Sequence, residues 1–151
     1  MIKKCSVFGH STIEITKEIE SNLFEIIENL IINENVDTFY FGGLGQFDDL
    51  CYKIVSKLKI KYKHIIRIYA LENPNWIKEQ KRPQRLKNEE YEEVIYLDLK
   101  FDYWYNRIYF RNCEIINRSD FTIIYVRNKE NSGAYKALKY AQKKKKQIIL
   151  I

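Results

Sequence analysis

Three glycines in four residues, Gly42, Gly43 and Gly45, with Asp48 close behind, form the pattern in this sequence best suited to chemistry. They follow an apolar run over 38–41 and precede a helical period that begins at Phe47. A strand that breaks on glycines and reopens as a helix leaves backbone N–H groups at the helix start, where α/β proteins receive phosphate or another anion. A tight turn with no ligand explains the glycines as well. The turn is not a dinucleotide fingerprint, because Asp48 stands where G-x-G-x-x-G needs its third small residue, and no G-K-[ST] follows to make a P-loop. Asp48 and Asp49 fall in the first helical turn, where stabilising the dipole competes with accepting a hydrogen bond from a ribose hydroxyl.

Other candidates are scattered. His10 lies between a strand-ending Gly9 and Ser11, where it can contact a ligand or tie down its own loop; His64 precedes a strand and reads as a surface residue. Arg111 sits in an aromatic segment, where a salt bridge or stacking partner competes with a phosphate contact. Tyr103, Trp104, Tyr105, Tyr109 and Phe110 cover more than one helix face, so they divide between core and a surface for self-association or base stacking. If a bond is cleaved, Asp48, Glu72 and Asp98 are the carboxylates at predicted strand ends or ligand loops. No Ser-His-Asp arrangement and no metal-ligand spacing is present, so neither a metal nor a cofactor is expected.

Composition bounds the rest. A chain of 151 residues, 46% hydrophobic, is expected to form one domain over 1–151; a domain of this size buries roughly 68–70% of its unfolded surface and needs no disulfides. Cys5, Cys51 and Cys113 are widely spaced and odd in number, which fits reduced buried thiols and a cytoplasmic location. The N-terminal apolar run is too short for a signal peptide, and no stretch approaches the roughly 20 apolar residues of a membrane span. The net charge of +6 lies wholly in the second half, since residues 1–71 hold nine Lys and Arg against nine Asp and Glu. Much of that excess is the run Lys143–Lys146, which reads as a solvated helix end complementing the dipole.

Several elements must position these residues. Residues 4–8 read as a first buried strand, and a helix should start between Ser11 and Thr16. Ser11 with Glu14 has capping-box spacing and Thr16 is the competing cap. Ile19, Leu23, Ile26, Ile27, Leu30 and Ile31 then make one apolar stripe. A second strand over 38–41 leads to a helix over 47–61 with Cys51 on its packing face, and a third strand follows over 65–71. The pattern fails over 72–92, which holds both prolines and reads as an irregular excursion with a short helix near 76–81. A peripheral strand over 93–97, an aromatic helix over 102–118, a β-branched strand over 121–126, a helix over 133–146 and a last strand over 147–151 complete the chain. Strands alternating with helices predict an α/β three-layer sandwich whose mainly parallel sheet has about five strands plus the peripheral one. With the first strand central, three loops converge at the strands' carboxyl ends: those after Phe8, after Phe41 and after Val126.

The ordered set Phe8-Gly9-His10-Ser11, Phe41-Gly42-Gly43-Leu44-Gly45-Gln46-Phe47-Asp48, Arg111-Asn112, Ser119-Asp120-Phe121-Thr122-Ile123-Ile124-Tyr125-Val126 and Ser132-Gly133-Ala134 resembles the DUF1273 / YpsA-like branch of the SLOG superfamily. That superfamily also includes LOG phosphoribohydrolases and DprA-type Rossmann domains. The resemblance covers nearly the whole chain outside 72–92. It implies a Rossmann-like domain that binds nucleotides or nucleotide-derived ligands, with Gly9, His10, Ser11, Gly42, Gly43, Gly45, Asp48, Arg111, Ser132 and Gly133 as the pocket. LOG enzymes resemble one another in a P-G-G-x-G-T-x-x-E turn with a catalytic Glu. The corresponding turn here, Arg127 to Gly133, lacks both the double glycine and the Glu. The expected function is therefore non-catalytic binding of a nucleotide-derived molecule, such as an ADP-ribose-type signal, for sensing or sequestration. The alternatives are an N-glycosidic hydrolase or transferase and a nucleic-acid or protein interaction module. The expected partners are the small molecule and a second copy of the chain, with no membrane and nucleic acid disfavoured. A β-branched residue at Gly43 is expected to abolish binding and leave the fold intact.

Overall fold

The computed structural model describes residues 2–43, 45–71, 91–97, 104–128 and 132–151. The chain runs β1 (Lys3–Phe8), α1 (Lys17–Asn33), β2 (Val36–Phe41), α2 (Gln46–Lys61), β3 (Ile66–Leu71), β4 (Glu93–Tyr96), α3 (Trp104–Arg118), β5 (Phe121–Ile124), α4 (Gly133–Lys143) and β6 (Gln147–Leu150). All strands are parallel, in the order β4-β3-β2-β1-β5-β6. The expected α/β class and central first strand are present, with the short peripheral strand added at one edge beside β3. The proposed helix near 76–81 and the excursion over 72–92, except for its last two residues, lie outside the described residues.

Strand alternation divides the core into two layers. One face of the sheet, carrying Cys5, Val7, Phe39 and Phe41, packs on α1 and α2 through Leu23, Ile27, Leu30, Ile54 and Val55. The other, carrying Phe8, Tyr40 and Ile124, packs on α3 and α4 through Ile115, Ile116, Ala137, Leu138 and Ala141. Fully burying each large aliphatic chain contributes about 1.5–3 kcal/mol, so the two stripes hold the helices where their starts meet the strand ends. All three cysteines are buried free thiols, Cys51 on the packing face of α2 as its spacing predicts. Burial pushes the thiols of Cys5 and Cys51 well above their ordinary range, which leaves neither as a thiolate nucleophile.

Local chemistry sets the boundaries. Thr16, not Ser11, caps α1: its Oγ1 accepts from the Ile19 N–H at 3.1 Å. Between β1 and β5, Ser6 lies opposite Thr122 and their hydroxyls hydrogen-bond at 3.2 Å, both residues fully buried. The return into β4 is clamped on β3. Arg67 Nε and Nη2 donate to the Glu92 carboxylate at 3.0 and 2.8 Å, the Arg67 N–H donates to Glu92 Oε1 at 2.9 Å, and the Glu92 N–H donates to the Arg67 carbonyl at 3.0 Å. Lys59 Nζ stands 3.5 Å from the same carboxylate. Among the described residues, no helix is long and apolar enough to cross a membrane.

Candidate functional site

The carboxyl ends of β1, β2 and β5 open into a cavity of about 660 Å³, closed on one side by α3 and on another by the start of α4. Chain direction reverses between β1 and β5, since α1 and α2 carry the chain one way across the sheet and α3 and α4 the other. Ligands of open α/β sheets bind at such a switch point. Gly9, His10, Ser11, Gly42, Asp48, Arg111, Ser132 and Gly133 line the cavity, joined by Thr12, Ile108, Asn112 and Asn128, none of which the sequence names as a pocket residue. Gly43 and Gly45 are not in its wall. Their work is conformational: both lie in the left-handed region, φ 73° and 96°. A Cβ on Gly43 would overlap the Tyr69 ring, and one on Gly45 would stand 2.8 Å from Ser11 Cα. Tyr69 is fully buried, so the expectation that Gly43→Val spares the fold is corrected: the methyls would enter the core rather than the cavity.

The glycine turn binds an anion, and that anion belongs to the chain. Asp48 Oδ1 accepts from the Gly42 N–H at 2.9 Å, and Oδ2 accepts from the Gly43 N–H at 3.1 Å. In this structure both amides that the sequence offers to a phosphate donate instead to Asp48. The reason is geometric: from the first turn of α2, Asp48 reaches back across the turn and meets both donors at once. On the opposite side, Arg111 of α3 donates from Nη1 to the Gly42 carbonyl at 3.1 Å. The two ends of the Gly42–Gly43 peptide group are thus held by Arg111 and by Asp48. Arg111 is 5% exposed and is steadied by its neighbour, with Nε and Nη2 donating to Asn112 Oδ1 at 3.2 and 3.0 Å. A Cβ on Gly42 would stand 2.6 Å from Nη2, so a side chain there would have to displace the guanidinium.

Two further contacts fix the loops. The Gln46 N–H donates to the Ser11 carbonyl at 2.8 Å, and Gln46 Oε1 accepts from the Ile13 N–H at 2.8 Å, which locks the loop after β1 onto α2. His10 resolves into a loop tie that also lines the cavity. Its Nε2 accepts from the backbone N–H groups of Arg127 and Asn128, at 2.7 and 3.1 Å, while its ring stands edge-on to Tyr125 with centroids 5.9 Å apart. Two donors on Nε2 require a lone pair there, so the ring proton belongs on Nδ1. The loop that His10 holds leads to Ser132, whose Oγ accepts from the Tyr135 N–H at 3.0 Å and donates to the Asn128 carbonyl at 2.7 Å. Ser132 is the N-cap of α4 and no acidic residue follows in the first turn. Among the described residues, nothing lies within 4 Å of the place a Cβ on Gly133 would take.

Of the aromatic segment, Tyr109 is half-buried and Phe110 exposed, their ring centroids 5.2 Å apart; Tyr103 and the side chains of Trp104 and Tyr105 lie outside the described residues. Glu72 and Asp98 also lie outside them. His64 is exposed, as its position predicts. Among the described residues no group of three His, Cys, Asp or Glu could hold a metal ion.

No family model and no curated protein matches this sequence. Solved structures do resemble it. A DNA processing protein A from Helicobacter pylori, described for a single-stranded DNA binding mode, superposes with a TM-score of 0.60 at 16% identity over 98% of this chain. This chain shares the DprA fold. TM1055, a structural genomics target, superposes with a TM-score of 0.59 at 14% identity over 97% of this chain and 72% of its own. DprA from Streptococcus pneumoniae gives 0.57 at 12% identity over 98% of this chain. The chain spans 65% and 53% of the lengths of the two DprA structures. Identities this low describe the fold alone, which is the Rossmann-like fold that the SLOG resemblance implies.

Proposed function

We propose that this protein binds a nucleotide-derived small molecule in the switch-point cavity and leaves it chemically intact. One observation carries the reading: the cavity is bordered by a helix start, that of α4, which has a neutral cap, no acidic residue in its first turn and, among the described residues, open space at Gly133. An N-terminus of this kind favours an anion through its N–H groups and its dipole. A volume of about 660 Å³ lies within the range of small-molecule pockets. Phosphate belongs at α4 rather than at the glycine turn, with the rest of the ligand extending toward Ile108 and Asn112. Catalysis is disfavoured because the described carboxylate in the cavity, Asp48, has both oxygens hydrogen-bonded to backbone amides. The resemblance to the DUF1273 / YpsA-like branch fits this reading, in which an ADP-ribose-type signal would be sensed or sequestered. Self-association through the surface around Phe110 is part of the proposal, and light scattering that gives a monomer at micromolar concentration would remove it.

A nucleic-acid reading takes support from the fold shared with DprA and from the basic second half. It is the weaker one, because Lys143 to Lys146 run from the last residue of α4 toward β6, at the opposite end of the sheet from the cavity. The deciding experiment titrates the protein calorimetrically with nucleotides, ADP-ribose derivatives and a short single-stranded oligonucleotide, then chromatographs the ligand recovered on denaturation. The expected result is saturable binding of a phosphorylated small molecule returned unchanged. Recovery as free base and sugar phosphate would make the protein a glycosidic enzyme. Binding of the oligonucleotide alone would make it an interaction module.

A further inference from the structure

Consecutive backbone N–H groups beside a residue in the left-handed region form a concavity suited to phosphate oxygens. The pair at Gly42 and Gly43 is of this kind, and Gly42 opens onto the cavity. The Asp48 carboxylate fills it, one oxygen to each amide, and the residue is only 7% exposed. Arg111 fixes the orientation from behind by holding the Gly42 carbonyl, so the Gly43 N–H cannot swing away from Asp48 without losing a second hydrogen bond. A phosphate approaching this turn must either displace a carboxylate bound at two points or lie beside a like charge in a partly desolvated space, and both are unfavourable.

We propose that Asp48 is a specificity-determining residue: its carboxylate is a built-in anion that closes the glycine turn, so the cavity accepts one phosphate, at α4, and gains nothing from a second phosphate placed near Gly42 and Gly43. The ligand class is then a nucleoside monophosphate or its equivalent, not a diphosphate spanning both helix starts, which narrows the proposed reading away from ADP-ribose itself, since its two halves are joined by a diphosphate. This rests on the proposed binding function, and the experiment separates the two. Wild type, Asp48→Ala and Asp48→Asn are titrated by calorimetry with adenosine monophosphate, adenosine diphosphate and inorganic pyrophosphate, with circular dichroism as the check on folding.

Wild type should bind the diphosphate no more tightly than the monophosphate. In Asp48→Ala the diphosphate-to-monophosphate affinity ratio and the affinity for pyrophosphate should each rise at least about tenfold, a threshold equivalent to 1.4 kcal/mol. Asp48→Asn, which keeps one acceptor oxygen and loses the charge, should fall between. An unchanged ratio in folded Asp48→Ala overturns the inference, as does a wild type that binds the diphosphate about tenfold or more tightly than the monophosphate. Should neither variant fold, that wild-type comparison decides alone. If wild type binds neither nucleotide, the proposed function fails; pyrophosphate then tests the closed turn by itself, a gain in Asp48→Ala supporting it and no gain overturning it.

Discussion

The starts of α2 and α4 border the same cavity and are built on opposite principles. At α2 the turn is crowded: a Cβ on Gly43 would meet Tyr69 and one on Gly45 would meet Ser11, and the amides of Gly42 and Gly43 are taken by Asp48. At α4 the turn is spare, with a hydroxyl cap, no acid in the first turn and an exposed glycine whose side-chain face meets none of the described residues. Glycine richness therefore does not mark the ligand end. The teaching is that a glycine turn has to be read together with the nearest carboxylate able to reach its amides, because a chain can supply its own anion.

The largest effect should come from forcing a side chain into the crowded turn. Gly43→Val meets both the buried Tyr69 ring and a positive φ, and overpacking with left-handed strain should together cost about 3 kcal/mol or more. Urea unfolding followed by circular dichroism should show a midpoint far below wild type or no folded baseline, whereas a variant as stable as wild type would mean that the turn is not as tightly packed as described.

Next is the reverse operation, which gives the spare turn the charge that the crowded one has. Gly133→Asp has room for its side chain and places a carboxylate at the first position of α4. Stability should rise by about 0.3–1 kcal/mol through the dipole. Affinity for a nucleoside monophosphate should fall at least about tenfold. Better stability with unchanged affinity would move the phosphate away from α4.

Between the two turns stands His10. In His10→Ala the amides of Arg127 and Asn128 lose their acceptor; each net hydrogen bond is worth about 0.5–1.5 kcal/mol. Both residues are exposed and water can substitute in part, so a loss of about 1–2 kcal/mol is the expected total. Faster amide hydrogen exchange at 127 and 128, with little change in β2 or α2, is the local signature to look for. Uniform acceleration throughout the sheet would give His10 a global role instead.

The smallest effect concerns the clamp on β4, away from both turns. Partial burial pushes the Glu92 carboxyl up, but the hydrogen bonds and charge of Arg67, with Lys59 behind, outweigh it and hold the group below its ordinary 4.5. The stabilisation is whole above that ordinary value and is lost as pH falls through the lowered one. The pair is partly solvated, so the difference between wild type and Glu92→Gln should be about 1 kcal/mol at most near neutrality and should vanish in strong acid. A difference that stays constant from neutrality into acid would detach it from the Glu92 charge.

Much of the frame was readable in one dimension. Leu23, Ile27, Leu30 and Ile31 repeat at helical spacing and are buried, Cys51 falls on the packing face of α2, and the loop after each central strand end reaches the cavity. What escaped were the pairings. Arg111 meets Gly42 across 69 positions of sequence and His10 meets Arg127 across 117, and no local period encodes either. Asp48 is only six positions from Gly42, yet its contact resembles no capping box, because the donors lie before the helix rather than within its first turn. Asn112 and Asn128 were beside residues already singled out, and only the convergence of α3 and the loop after β5 marks them as lining.

The hydroxyl pair between β1 and β5 carries a consequence for how this sheet finds its alignment. A parallel sheet covered on both faces is apolar on both sides, so hydrophobic pattern alone discriminates poorly between neighbouring alignments. Ser6 and Thr122 act as a key in that lock. Sliding β5 by one residue turns Thr122 to the opposite layer, and sliding it by two residues in one direction sets Ser6 against Ile124; in either case a buried hydroxyl loses its partner, at a cost of about 1–3 kcal/mol. Since β1 leads into His10 and β5 into the amides that His10 accepts, one polar pair deep in the sheet sets the vernier by which the two halves of the cavity wall are brought to face each other.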